Sequence, residues 1–294
     1  MRKKAIVTLA IGEKYIHMFE NLCRRNWTKY CEKFDYDLIV ISESLDESTR
    51  SVNRSPAWQK LLICSQDWSL QYDQLVWVDA DILINHLHSP DICAGTPVDK
   101  ISAVETYSIP DKQIHNISLQ RSYDAWDLNG IKYIDNLTPS KYYLNRGINL
   151  LEDLDSVVQT GVFVCSPQYH RQFFEYVYNS YEDEHGSEWN YEMPALSYEI
   201  LKNNLENWID PKFNYCVTNI YSAYYPFIFN EYGRLNLFKR GFDKLVRKMG
   251  VEDWFIENDK MLALRNIYDL GYFIHFAGCS SLMSPLAKRL NNKY

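Results

Sequence analysis

The stretch Gln74-Leu75-Val76-Trp77-Val78-Asp79-Ala80-Asp81 decides how this chain reads. An apolar run of β-forming residues ends in two carboxylates spaced one residue apart. Side chains alternate between the faces of a strand, so Asp79 and Asp81 are expected on one face. Two hard oxygen ligands at the end of a buried strand suit a divalent cation that also holds phosphates.

Working outward, Lys4–Leu9 reads as a short strand. Glu13 to Phe34 has helical spacing, with Tyr15, Phe19, Trp27 and Tyr30 among the residues on one side. Asp37–Ser42 reads as a second strand. Pro56 suits the first turn of a helix that runs to about Leu70. With Gln74–Val78 the order is strand, helix, strand, helix, strand, which predicts a parallel α/β sheet. Ligands of such sheets sit beyond the carboxyl ends of the strands. Both Thr8–Gly12 and Asp79–Asp81 lie at such ends.

Downstream, Ile101–Tyr107 reads as a strand. Ser108 to about Leu154, rich in Tyr, Asn and Asp, shows no period and is expected to be a functional loop or lid. Val157–Cys165 reads as a strand interrupted by Gln159-Thr160-Gly161. Pro167–Tyr181 and Pro194–Asn203 read as helices, Gly271–Ala277 as a late strand, and the tail from Ser284 as a short helix. No repeat, low-complexity segment or linker forces a division, so one large domain over 1–294 is expected.

The bulk numbers narrow the function classes. The 294 residues suffice for a large core, and the net charge is −7 with dispersed cations. A nucleic acid partner is therefore not expected, because phosphate contacts need a basic face. The locally basic Lys239–Lys248 reads as a solvated helix face. No run approaches the roughly 18 apolar residues of a spanning helix, so no transmembrane segment is expected. The apolar run after Met1-Arg2-Lys3-Lys4 is too short for a signal peptide and is broken by Gly12-Glu13-Lys14. Seven irregularly spaced cysteines without a CxxC pair read as free thiols, and the chain is expected to be cytoplasmic.

One residue far downstream belongs with the aspartates. His275 lies in Phe273-Ile274-His275-Phe276-Ala277-Gly278, where the small pair Ala277-Gly278 allows a ligand to approach the backbone. Imidazole with two carboxylates suits manganese better than calcium. Asp79, Asp81 and His275 are the expected metal ligands.

Six segments occur in one order: Val7-Thr8-Leu9-Ala10 with Tyr15, Trp58-Gln59-Lys60-Leu61, Asp79-Ala80-Asp81, Thr160-Gly161-Val162-Phe163, Glu192 to Leu196, and His275-Phe276-Ala277-Gly278. Together they resemble GT-A glycosyltransferases, above all the glycogenin and bacterial galactosyltransferase group and the galactomannan and xyloglucan transferases. The resemblance spans about Lys4 to Gly278. It implies a single-domain GT-A (Rossmann-like) α/β fold with a mixed, mainly parallel sheet flanked by helices. It divides the chain into a nucleotide-binding half to about residue 106, an acceptor-binding half over about 107–280, and a tail over 281–294. The implied reaction is metal-dependent transfer of a sugar, with retention, from a nucleotide-sugar, UDP-hexose in the first place, to a hydroxyl acceptor on a glycan. Mn2+ or Mg2+ is the implied cofactor.

The resemblance also implies roles. Thr8, Leu9 and Ala10 would grip the base through backbone groups, and Tyr15 would stack on it. Asp79 would touch ribose and metal, with Ala80 beside it, and Asp81 would bind the metal directly. Gln159, Thr160 and Gly161 would line the donor sugar, Glu192 would contact its hydroxyls, Lys60 would approach the sugar or diphosphate, and Gly278 would lie against the ligand. Two positions depart from the pattern. Met193 stands where the family often has Gln, and Cys279 to Met283 offers no lysine for the diphosphate; Lys288 comes later.

Stereochemistry stays open on the residues alone, because an inverting enzyme needs a carboxylate base that Glu105, Asp153 or Glu192 would supply. Two other readings stay open: a non-catalytic sugar-nucleotide- or glycan-binding protein that keeps the fold, and a sugar-phosphate nucleotidyltransferase. The second wants a Gly-rich basic loop after the first strand, where this chain has Ala10-Ile11-Gly12-Glu13. Tyr107–Leu154 and the aromatic run Tyr221–Phe229 are expected to shape the acceptor site.

Overall fold

The computed structural model describes residues 2–149, 154–182, 191–226 and 254–291; within these, the side chains at 254–258, 289 and 291 are left undescribed. Asp153, Phe227–Phe229 and the basic stretch Lys239–Lys248 lie outside the described residues.

Among the described residues six strands form the main sheet, in the order β2-β1-β3-β6-β5-β7. β1 (Lys4–Leu9) pairs in parallel with β2 (Tyr36–Ile41) and with β3 (Gln74–Val78). β6 (Val158–Cys165) runs against both β3 and β5 (Ile101–Glu105), and β7 (Glu206–Trp208) is parallel to β5. Five strands thus share one direction and β6 is reversed. The sheet is mixed and mainly parallel, as expected. A second, three-stranded sheet has the order β4-β9-β8, from Ile82–Ile84, Phe273–His275 and Tyr215–Cys216.

Alternation along β1 and β3 divides the core. Ile6, Val76 and Val78 pack on one face with Trp27 and Phe273, while Ala5, Val7, Leu75 and Trp77 pack on the other with Leu61 and Phe163. Each large apolar side chain buried this way contributes roughly 1.5–3 kcal/mol before conformational entropy is charged. The helical run after β1 forms as Glu13–Met18 and Arg24–Phe34, joined by a π-helical turn at Phe19–Cys23.

The helix expected from Pro56 to about Leu70 forms with 3-10 geometry, as Pro56–Ser65 and then Asp67–Gln71. At three residues per turn Trp58, Leu61 and Cys64 eclipse one another, and all three are buried against the Trp77 face. The segment Ser108–Leu154 is not a structureless loop: it holds helices Lys112–Leu128 and Pro139–Leu144. The first is capped by Asp111 Oδ1, which accepts from Gln113 N at 2.9 Å and Ile114 N at 3.0 Å. It packs on helix Val217–Tyr224 partly through hydroxyls. Ser118 Oγ donates to Asn219 O at 2.8 Å, and Ser122 Oγ donates to Ser222 Oγ at 3.1 Å. A contact made with serines leaves little apolar period to read.

All seven cysteines are free thiols, six of them buried. Among the described residues no helix is long and apolar enough to cross a membrane.

Candidate active site

β3 ends at Val78, so strand alternation covers neither Asp79 nor Asp81; a hydrogen bond from Trp77 Nε1 holds Asp79 beside Trp77. Asp79 N donates to Gly161 O at 2.9 Å, a turn follows, and β4 starts at Ile82. β4 pairs antiparallel with β9, and Ile82 lies opposite His275. Phe276 N donates to Asp81 O at 3.0 Å. The second sheet, not the first, is therefore what brings Asp81 to His275.

His275 Nε2 lies 3.3 Å from Asp81 Oδ1, and His275 Nδ1 lies 2.7 Å from Asn214 Oδ1. An amide oxygen only accepts, so the Asn214 contact puts a proton on Nδ1 and turns Nε2 toward the carboxylate. That approach needs positive charge between the two groups, either a second proton on the ring or a cation. Burial works against the charged imidazole, but Asp81 and then Asp79 outweigh it and raise the pKa of His275. Burial likewise opposes a charged Asp81, yet His275 draws its pKa below the ordinary value.

The donor set fits a divalent ion. Asp79, Asp81 and His275 each offer one ligand atom, all within 4.8 Å of one another. Metal–ligand bonds of about 2.0–2.3 Å close that span with a small side-chain shift. Asp79 Oδ1 is already taken, because Trp77 Nε1 donates to it at 2.7 Å and Lys60 Nζ at 3.0 Å. Oδ2 is the oxygen left for a ligand.

On the other side of Asp79 stands a buried group. Lys60 Nζ reaches Glu192 Oε1 at 2.8 Å and Thr160 O at 3.4 Å, and Thr160 Oγ1 donates to Glu192 Oε1 at 2.8 Å. Burial disfavours the ammonium, but Asp79 and Glu192 together hold the Lys60 pKa above its usual value. One ammonium serves two carboxylates, and the more buried carboxylate bears the cost. Burial pushes Glu192 up, Asp79 adds to it, and Lys60 and Thr160 offset only part. Glu192 Oε2 is buried without a partner among the described residues.

β6 is shaped for this contact. Its pairing with β5 slips between Ala103↔Phe163 and Val104↔Gln159, leaving Thr160–Val162 out of the β5 ladder. Gln159 Oε1 accepts from Gly161 N at 3.0 Å, fixing the bulge. A Cβ on Gly161 would lie 2.5 Å from His275 Cε1, so only glycine lets β6 approach the imidazole.

The remaining expected residues lie as follows. Thr8 and Leu9 are the last residues of β1, and Ala10 N donates to Ile41 O at 2.8 Å. Thr8 and Ala10 are fully buried, and Tyr15 is exposed on the first helical turn. Ala80 O accepts from the Cys23 thiol at 3.3 Å. Gly278 is exposed, with a left-handed φ of 70°. The structure thus brings Lys60, Asp79, Asp81, Thr160, Gly161, Glu192 and His275 into one contact network, whereas Tyr15 and Gly278 stand outside it among the described residues. Glu105, an alternative base, accepts from Tyr107 N and Ser108 Oγ and caps its own turn. Sequence reading missed Trp77 and Asn214. Trp77 was accessible to it, being two residues before Asp79 in the same segment.

No family model matches the sequence, and no curated protein matches it. Solved structures do. The chain superposes on a glycosyltransferase involved in the glycosylation of the major capsid of PBCV-1 with a TM-score of 0.50 and 11% identity, over 96% of this chain and 98% of that one. It superposes on the apo structure of WbbM, a bifunctional glycosyltransferase, with a TM-score of 0.51 and 11% identity, over 94% of this chain and 46% of that one. The chain has a GT-A-like glycosyltransferase fold.

Proposed function

We propose that the chain is a metal-dependent glycosyltransferase that moves a hexose from a nucleotide-sugar, UDP-hexose, to a hydroxyl on a glycan, with retained configuration. One observation carries the reading: at the carboxyl end of β3 the Asp79–Asp81–His275 cluster adjoins the buried Lys60–Glu192 pair. Mn2+ or Mg2+ held by the cluster would supply the positive charge that a departing diphosphate needs.

The other roles are those that the resemblance to GT-A enzymes implies. Thr8 to Ala10 and Tyr15 hold the base, and Lys60 supplies a fixed charge beside the diphosphate. Gln159, Thr160 and Gly161 line the donor sugar, with Ala80 and Gly278 offering close backbone approach. Glu192 Oε2, buried and without a partner among the described residues, accepts from a sugar hydroxyl. Lys60 and Thr160 pin its other oxygen, which disfavours free movement as a nucleophile and favours front-face attack. The acceptor proton then passes to the leaving diphosphate.

The test is release of UDP from UDP-glucose and UDP-galactose, with Mn2+ and with chelator, in wild type and Asp81→Ala. Manganese-dependent turnover lost in Asp81→Ala is expected, with the retained anomer in the product by NMR. A second reading, a binding protein that keeps the fold, is favoured by the lack of a lysine between Cys279 and Met283; Lys288 is exposed on helix Met283–Asn291. No turnover with any nucleotide-sugar, and donor binding unchanged in Asp81→Ala, would select it.

A further inference from the structure

Outside the metal cluster, a pocket of about 400 Å3 opens between helices Pro167–Ser180 and Met193–Lys202 and the turn Arg146–Asn149. Its volume is within the roughly 300–1,000 Å3 of small-molecule sites. Five rings line it: Trp58, Tyr176, Tyr181, Tyr191 and Tyr198. Tyr176 and Tyr191 are 49% and 47% exposed, so flat apolar faces are presented to solvent. The C–H face of a hexose matches such a ring, and its hydroxyls match the polar edges. The buried indole N–H of Trp58 has no hydrogen-bond partner among the described residues.

The charged groups of the pocket already have partners among the described residues. Lys202 Nζ lies 3.1 Å from Glu199 Oε1, which also accepts from Tyr181 OH at 2.5 Å. Glu182 pairs with Arg50 and Arg54. Arg146 donates to Asn136 Oδ1 at 2.7 Å and Tyr142 O at 3.0 Å, and its guanidinium lies 4.1 Å from the Tyr142 ring centre. Both lining carboxylates are thus held by cations, Glu182 by two arginines and Glu199 by Lys202, and Arg146 is spent on neutral oxygens and the Tyr142 ring, so recognition in the pocket rests on its rings and hydroxyl-matching edges. The wall also begins beside the catalytic pair: Trp58 is two residues before Lys60, and Tyr191 and Pro194 flank Glu192. From Pro194 it follows the helix to Lys202, about 12 Å, longer than one hexose ring.

We propose that this pocket binds neutral hexose units of the acceptor glycan, beyond the unit that receives the new sugar. Only the word acceptor rests on the glycosyl-transfer reading; saccharide binding is tested without donor or metal. The experiment is saturation-transfer NMR on the full chain with neutral di- and trisaccharides of glucose, galactose and mannose, and with glucuronate-bearing counterparts. Binding of a neutral saccharide about fivefold weaker in folded Tyr176→Ala is expected. Tyr191→Ala is the second variant, used the same way. No neutral saccharide signal, a signal unchanged in both variants, or stronger binding of the acidic sugars would overturn the proposal. Binding lost in the variants, in a protein that turns over no donor, would sustain the pocket and remove the transferase reading instead.

Discussion

Two ion pairs meet at the Asp79–Asp81 turn, and they are built in opposite ways. The side chains of Lys60 and Glu192 are 3% and 1% exposed, and Lys60 is shared with Asp79. In the other pair His275 is 6% exposed but Asp81 is 26% exposed. A buried ammonium–carboxylate pair has lost its water and depends on its partner to stay charged. A half-open pair keeps water on one side and can exchange its shared proton for another cation. The buried pair is therefore the fixed half of the centre, and the open pair is the half that responds to ligand.

The sharpest way to break this contrast is Lys60→Met. It leaves the Glu192 carboxylate buried and unpaired, and a loss of about 3–5 kcal/mol at pH 7 is expected in urea unfolding. The loss should shrink toward pH 5. Glu192 already has a raised pKa, and without Lys60 it rises further, so falling pH protonates the carboxylate and removes the unpaired charge. Replacing both partners, Lys60→Met with Glu192→Leu, should recover most of the stability. A single-variant loss under about 1 kcal/mol would show that the pair is not held as tightly as its burial indicates.

The next effect is on the open pair and is smaller. Asn214 is fully buried, and its Oδ1 fixes the imidazole with Nε2 facing Asp81. Asn214→Leu removes the acceptor while keeping the volume. Such outer-shell partners typically contribute 10–100-fold in metal affinity, so Mn2+ binding by calorimetry should weaken by about that factor. Unchanged affinity in a folded Asn214→Leu would mean that packing against Gly161 alone orients His275.

These two pairs also show what the sequence made legible. The order of elements along the chain and the end of β3 were readable because each rests on a local pattern of apolar residues closed by polar ones, and His275 was joined to Asp79 and Asp81 by its ligand chemistry and by the resemblance to GT-A enzymes. The convergence mechanism was not readable. Asp81 meets His275 through the short pairing of β4 with β9, three residues each, too brief to carry a period. Asn214 ends the 3-10 turn Pro211–Asn214, where nothing in the neighbouring residues marks it as a histidine partner. The helix Lys112–Leu128 was hidden for a related reason: serines make part of its contact. Local chemistry shows in sequence, whereas the backbone pairing that carries a distant contact, and the partners that orient it, show only once the sheets are paired.

The smallest effect concerns how the open pair depends on pH in metal-free protein. His275 has a raised pKa, so its contribution is complete below the unfolded value of about 6.5 and fades as pH rises through the folded value. Asp81 has a lowered pKa, so its contribution is present above the unfolded value of about 3.9 and is lost as pH falls through the folded value. The pair therefore stabilises most between about pH 4 and pH 6.5. Asp81→Asn should cost no more than about 1 kcal/mol there and less at pH 9, measured by urea unfolding with chelator present. Saturating Mn2+ should invert the trend, because metal binding requires the deprotonated ligands and gains as pH rises. A wild-type advantage that stays constant from pH 5 to pH 9, with and without Mn2+, would mean that no proton is shared between Asp81 and His275 and that the open pair is as fixed as the buried one.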